Sequence, residues 1–129
     1  MWFKPASNGG GEGGSMWNDR GDVAVADFDQ GDLTREGSGT LDLSSIVGAN
    51  QVLVVIRGYF SSTAGGDEMI MKTNGNTNAL NVSKFESLGA VTHAEHTFIV
   101  QTDENGVVAY DMYIPGVSGI QIVVQGWFS

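Results

Sequence analysis

Cysteine is absent from the 129 residues, which removes disulfide staples, thiolate metal ligands and cysteine nucleophiles from consideration. Basic residues are scarce: six Lys and Arg stand against fifteen Asp and Glu, a formal net charge of −9. The imbalance is spread, with three basic and seven acidic residues over 1–40 and three and eight over 41–129. No acidic tail stands out. Such a surface repels phosphate backbones, so no nucleic-acid partner is expected. Solubility is its ordinary consequence, and a dock for a basic partner surface the sharper one. No apolar run reaches membrane-spanning length and the first residues lack the apolar core of a secretory signal, so a soluble chain with no membrane partner is expected. Helix-length segments able to cover a sheet are missing as well.

The sequence has strands instead. Gln51–Phe60 holds five consecutive aliphatics, Val52 to Ile56, then Tyr59 and Phe60. β-Branched side chains lose χ1 freedom in a helix and fit a pleated surface, which makes this a strand. Both of its faces are apolar over the first half, which predicts a central position with something packed on each side. Before it, Leu41–Leu43 reads as a short strand and Ser44–Gly48 as one turn of helix ahead of the Gly48-Ala49-Asn50 corner. Alternation predicts further strands over Asp22–Phe28, Glu68–Thr73 (Met69 and Met71 on one side), Val91–Thr102, Val107–Ile114 and Gly119–Phe128, with residues 29–39 as loop. Val82–Leu88 fits a short strand or a turn of helix. Asp103-Glu104-Asn105-Gly106 is a turn in which Gly106 supplies a positive φ, and it predicts Val107–Ile114 running back beside Thr97–Thr102. Pro115-Gly116 ends that strand. Seven or eight strands at this spacing predict an all-β antiparallel sandwich of jelly-roll type with Greek-key connections, over residues 21–129.

Residues 1–20 differ in kind. Trp2, Phe3 and Pro5 precede Gly9–Gly14, in which five of six residues are glycine, and Met16 and Trp17 follow. Glycine loses the most backbone entropy on ordering, so a flexible arm with aromatic anchors at both ends is expected. Trp2, Phe3 and Trp17 are its candidate partner-binding residues, since segments that stay disordered are usually poor in aromatics.

Several strands are apolar on both sides. Leu53, Val55 and Tyr59 stand opposite Val52, Val54, Ile56 and Phe60, and Val123 and Trp127 opposite Ile120, Ile122 and Val124. One side fills the core. The other would leave a patch larger than monomers usually expose, so Leu53, Val55, Tyr59, Val123 and Trp127 are the expected oligomer interface. A closed homo-oligomer is expected, a trimer ahead of a dimer.

Motifs for chemistry are sparse. His93 and Glu95 share one side of their strand while His96 points away, so the three cannot converge on a metal. Asp27, Asp29 and Asp32 around Gly31 are spaced like a calcium loop, but position twelve from Asp27 is Ser38 and no helices flank it. Arg20-Gly21-Asp22 matches the integrin tripeptide, and Asn81-Val82-Ser83 is a glycosylation sequon. No serine sits in a G-x-S-x-G elbow. Neither catalysis nor a cofactor is expected. Tyr59, Tyr110 and Trp127 on a sandwich face would stack on sugar rings, which gives a carbohydrate-binding or receptor-binding module as the alternative reading.

Leu41–Arg57 (LDLSSIVGANQVLVVIR), followed by a glycine-rich turn and Lys72–Asn78 (KTNGNTN), resembles small jelly-roll virion proteins of tailed bacteriophages, of the head decoration (cement) or fibre type. The likeness runs from about Leu41 to Phe128 and is one of pattern. It implies a structural virion protein on the capsid exterior, bracing the head through contacts with itself and with the major capsid protein.

Overall fold

The computed structural model describes residues 16–62, 65–89, 91–114 and 117–129. Among them are nine strands: β1 (Trp17–Asp19), β2 (Phe28–Asp29), β3 (Glu36–Asp42), β4 (Leu53–Ser62), β5 (Glu68–Thr73), β6 (Ser83–Glu86), β7 (Val91–Gln101), β8 (Val107–Tyr113) and β9 (Val117–Phe128). One helical turn, α1 (Ser44–Val47), precedes β4, and a 3-10 turn covers Gln30–Asp32.

The strands form two antiparallel sheets. One runs β1-β9-β4-β7, with β2 also on β9, and the other β3-β8-β5-β6. Counting β1 and β2 as one interrupted strand, this is the eight-stranded order of a jelly roll, two Greek keys folded into a sandwich. Between the sheets lie Val54, Ile56 and Phe60 of β4, Phe98 of β7, Met69 and Met71 of β5, Val108 and Met112 of β8, and Ile120, Ile122 and Val124 of β9, all buried. Alternation in β4 is strict, every second residue from Val54 to Ser62 being buried. Phe60 ties the layers together, stacked on Phe85 of β6 at 4.2 Å between centroids and edge-on to Phe98 at 6.4 Å.

Four expectations are corrected. Asp22–Phe28 is not a strand: only Phe28 and Asp29 pair, and Val25 is 77% exposed. Strand β3 begins at Glu36, within what reads as loop, because Glu36–Thr40 is a polar and glycine-rich edge held by pairing with β8 from Glu36↔Tyr113 to Asp42↔Val107. Gly39 is required there, since a Cβ would lie 2.4 Å from the Tyr110 hydroxyl laid across it. The Asp103–Gly106 turn forms, with Gly106 at φ +79 and Gly106 N–H donating to Asp103 O at 3.1 Å. It joins the two sheets rather than closing a hairpin. Thr102 N–H donates to Val52 O at 2.9 Å, which continues the β7–β4 pairing, while Val107 onward is taken by β3 and β5. Finally, Trp17–Asp19 belongs to the sandwich, so the expected boundary at residue 20 falls too late.

Candidate interaction surface

The β1-β9-β4-β7 sheet packs one side on the core and turns the other outward. Cross-strand partners in an antiparallel sheet share a side, so the register lays out the outer side in rows. The first row is Trp17, Phe128, Leu53 and Gln101, and the second Asp19, Gly126, Val55 and Ile99. Val123, Arg57 and Thr97 follow, then Gln121, Tyr59 and Glu95. The side is therefore divided, apolar at one end and charged at the other.

At the apolar end, Trp17 is 41% exposed, Leu53 41%, Ile99 56% and Phe128 38%. Trp17 and Phe128 rings meet at 5.1 Å. Trp17 also lies over Gly126, where a Cβ would come within 2.3 Å of its ring carbons. The missing side chain is what lets the indole come this close to β9. Met16 continues the β1–β9 ladder, its N–H donating to Ser129 O at 3.2 Å and its C=O accepting from Ser129 N–H at 3.1 Å.

The charged end centres on Arg57 and Glu95, which form an ion pair, with His93 Nε2 2.9 Å from the second carboxylate oxygen. The hydrogen bond from His93, helped by Arg57, holds Glu95 below the ordinary carboxylate range. The Arg57 guanidinium also lies 5.8 Å from the Tyr59 ring centroid. Among the described residues, no acceptor meets its buried Nε–H.

A bulge separates the two ends. Val55 pairs with Gly126 and Ile56 with Val124, leaving Gln125 as the extra residue. Arg20 and Asp27 brace it from the edge. Arg20 Nη1 and Nη2 each donate to Asp27 at 3.0 Å, Val124 N–H donates to Asp27 Oδ2 at 2.8 Å, and Arg20 Nη1 donates to Val124 O at 3.3 Å. Two side chains thus replace the main-chain ladder that β1 and β2 leave open between them. Within Arg20-Gly21-Asp22 the guanidinium is accordingly committed to Asp27.

Of the expected interface residues, Leu53, Val55, Tyr59 and Val123 lie together on the outer side. Trp127 does not. The extra residue at Gln125 shifts the alternation by one, so Trp127 pairs with fully buried Val54 and packs on the core. Of the arm residues, Trp2 and Phe3 lie outside the described residues, and Trp17 sits in β1. Tyr110 is buried and accepts from Thr34 N–H at 2.9 Å, so Tyr59, Tyr110 and Trp127 do not form one stacking platform. His96 turns inward against Phe85 and Phe98, away from His93 and Glu95. Asp29 caps the 3-10 turn, accepting from Gly31 N–H at 2.8 Å while Asp32 accepts from Asp29 N–H at 2.9 Å. Among the described residues no group of three His, Cys, Asp or Glu is placed to hold a metal ion. The reading of alternation misses Phe128 and Ile99. Phe128 reverses sides with its neighbour across the bulge, and Ile99 lies between Thr97 and Gln101 on what reads as a polar side.

Comparison of the chain with protein-family models, with curated proteins and with solved structures finds no match.

Proposed function

We propose that this chain is a non-enzymatic structural subunit of a tailed-phage virion, a decoration (cement) protein that sits as a homotrimer on the capsid exterior and braces the head. One observation carries the reading. One side of the sheet is buried in a continuous apolar core, yet a second apolar cluster, Trp17, Leu53, Ile99 and Phe128, stands on its outer side. Large side chains left 38% to 56% exposed on one side of a sheet suit the centre of a wider contact with a protein partner. The resemblance of Leu41–Arg57 and Lys72–Asn78 to small virion jelly rolls supplies the class of partner, copies of itself and the major capsid protein. Trp17 at the edge of the surface, with Trp2 and Phe3 upstream, provides the aromatic anchors.

The mechanism is burial. Covering apolar surface is worth about 25 cal/mol per Å², against which association costs must be set. A subunit that binds only assembled shell stabilises it by RT ln(1 + [L]/Kd) per site. Co-sedimentation with empty phage heads tests the reading. Wild-type chain is expected to pellet with heads, and Leu53→Asp with Ile99→Asp is expected to stay in the supernatant. Equal recovery of both would remove the outer side as the attachment surface.

A carbohydrate-binding role is the second reading, favoured by the surroundings of Tyr59. Three shallow concavities, of about 310, 390 and 270 Å³, adjoin this ring. Gln30, His93, Arg57 and Gln121 offer planar polar groups around it. Quenching of intrinsic fluorescence on sugar titration would support it, and an unchanged spectrum would count against it.

A further inference from the structure

The apolar end of the outer side is too small to hold a second copy by itself. Four strands spaced about 4.8 Å apart and two rows of side chains span roughly 250 Å², whereas a stable contact needs about 800 Å² from each partner. Two large aromatic side chains, each laying one face on it, half of about 150–250 Å², match it. The sequence contains such a pair within reach. Trp2 and Phe3 lie upstream of Met16, and Met16 itself borders Trp17 and Ser129 at the edge of the patch.

Distance and charge both point to the same occupant. Trp2 and Met16 are fourteen positions apart, a contour of at most about 50 Å. A glycine-rich chain of that length has an end-to-end distance of about 20 Å, close to the width of four strands. A ligand tethered at the matching span meets its site at an effective concentration near millimolar, above that of any free copy in dilute solution. A second copy would also bring a net charge of −9 against −9. Residues 1–8 carry Lys4 and no acid, and Asp19 stands in the second row of the patch.

We infer that in the free subunit Trp2 and Phe3 return to their own chain and cover the apolar end formed by Trp17, Leu53, Ile99 and Phe128. The contact concerns the isolated subunit, so its failure and that of the virion reading are separate results.

The test uses the full chain with 5-fluorotryptophan at its three tryptophans, the Trp2 ¹⁹F resonance being assigned with Trp2→Phe. The expected Trp2 resonance shows little H2O/D2O isotope shift and moves to the solvated-indole position in Ile99→Asp. A Trp2 resonance with the full isotope shift in the wild-type chain, or one unmoved by Ile99→Asp in a folded variant, overturns the inference. Should Ile99→Asp fail to fold, the double variant Trp2→Ala, Phe3→Ala leaves the sandwich sequence unaltered. It is expected to shift the Trp17 resonance and to increase binding of an apolar dye, and no change in either overturns the inference. Dilution decides between copies. A Trp2 position independent of concentration supports return to the same chain, while movement toward solvent on dilution assigns the seat to another copy and overturns it.

Discussion

The Asp27 carboxylate stands where a neighbouring strand would otherwise donate and accept. It takes the Val124 N–H and holds both Arg20 nitrogens, and side-chain exposures of 14% and 19% leave little water to substitute. Removing one partner of a shielded charged network costs more than the network contributes net, because the remaining groups stay desolvated. Asp27→Ala is expected to lower unfolding stability by about 2 kcal/mol, and Asp27→Asn by less, since an amide oxygen still accepts from Val124. Urea denaturation of the two variants measures the difference. Midpoints equal to that of the wild-type chain would mean that the edge is held by the backbone alone. His96 gives a second test at this scale. Burial beside Phe85 and Phe98 pushes its pKa below the ordinary 6.5, so the folded state favours neutral imidazole. Its contribution is present above the unfolded value and is lost as pH falls below about 6.5 toward the lower folded value. Hydrogen bonds from Asn74 to Asp103 and from Ser38 to Asp111 lower those carboxylates, and their stabilisation is lost only on further acidification. Stability should therefore decline in two stages, and His96→Gln should flatten the first and spare the second.

At the scale of the element, one inserted residue decides which side a whole strand end presents. Deleting Gln125 would join Val124 directly to Gly126 in one unbroken alternation, leaving Gly126, Trp127 and Phe128 on their partners Val55, Val54 and Leu53 and on their present sides, and costing the bond from Arg20 N–H to Gln125 O. The expected result is a folded, somewhat destabilised chain in which the Trp127 emission is unchanged. Emission moved to longer wavelength would mean that the strand end slips in register and turns Trp127 outward. The same residue marks the limit of sequence reading. Strands β4 and β5, the α1 turn and the Asp103–Gly106 turn are legible because local chemistry dictates each: β-branched runs, Met69 and Met71 two apart, a glycine able to take positive φ. Trp127 is not legible, because period-two reasoning has no means of placing an extra residue whose supports, Arg20 and Asp27, lie about a hundred positions away. Strand β3 is hidden for a related reason. Its first five residues contribute main-chain partners and room for Tyr110 rather than apolar side chains. The pairing of β8 is decided by which strand captures it after the turn, and the four turn residues are the same for a hairpin and for a crossing between sheets. The apolar end of the outer side was half legible. Leu53 and Val55 announce it, while Ile99 and Phe128 join it only through register.

For the whole molecule, charge and apolar surface act in opposite directions. A net charge of −9 on each copy resists association, and the apolar outer side of one sheet, once Trp2 and Phe3 give it up, favours it. Added salt separates the two, since it shortens the range of repulsion to about 8 Å at physiological ionic strength and leaves burial nearly untouched. Self-association of the purified chain, followed by sedimentation velocity, is expected to strengthen as salt rises and to settle on one closed species, a trimer. Val55→Asp, on a half-buried position in the second row, should shift the distribution to monomer at every salt concentration while the fold persists. Weakening of association by salt would instead identify a contact made by the Arg57, Glu95 and His93 end. The subunit interface would then lie over the charged rows, leaving the apolar end of the sheet to a different partner.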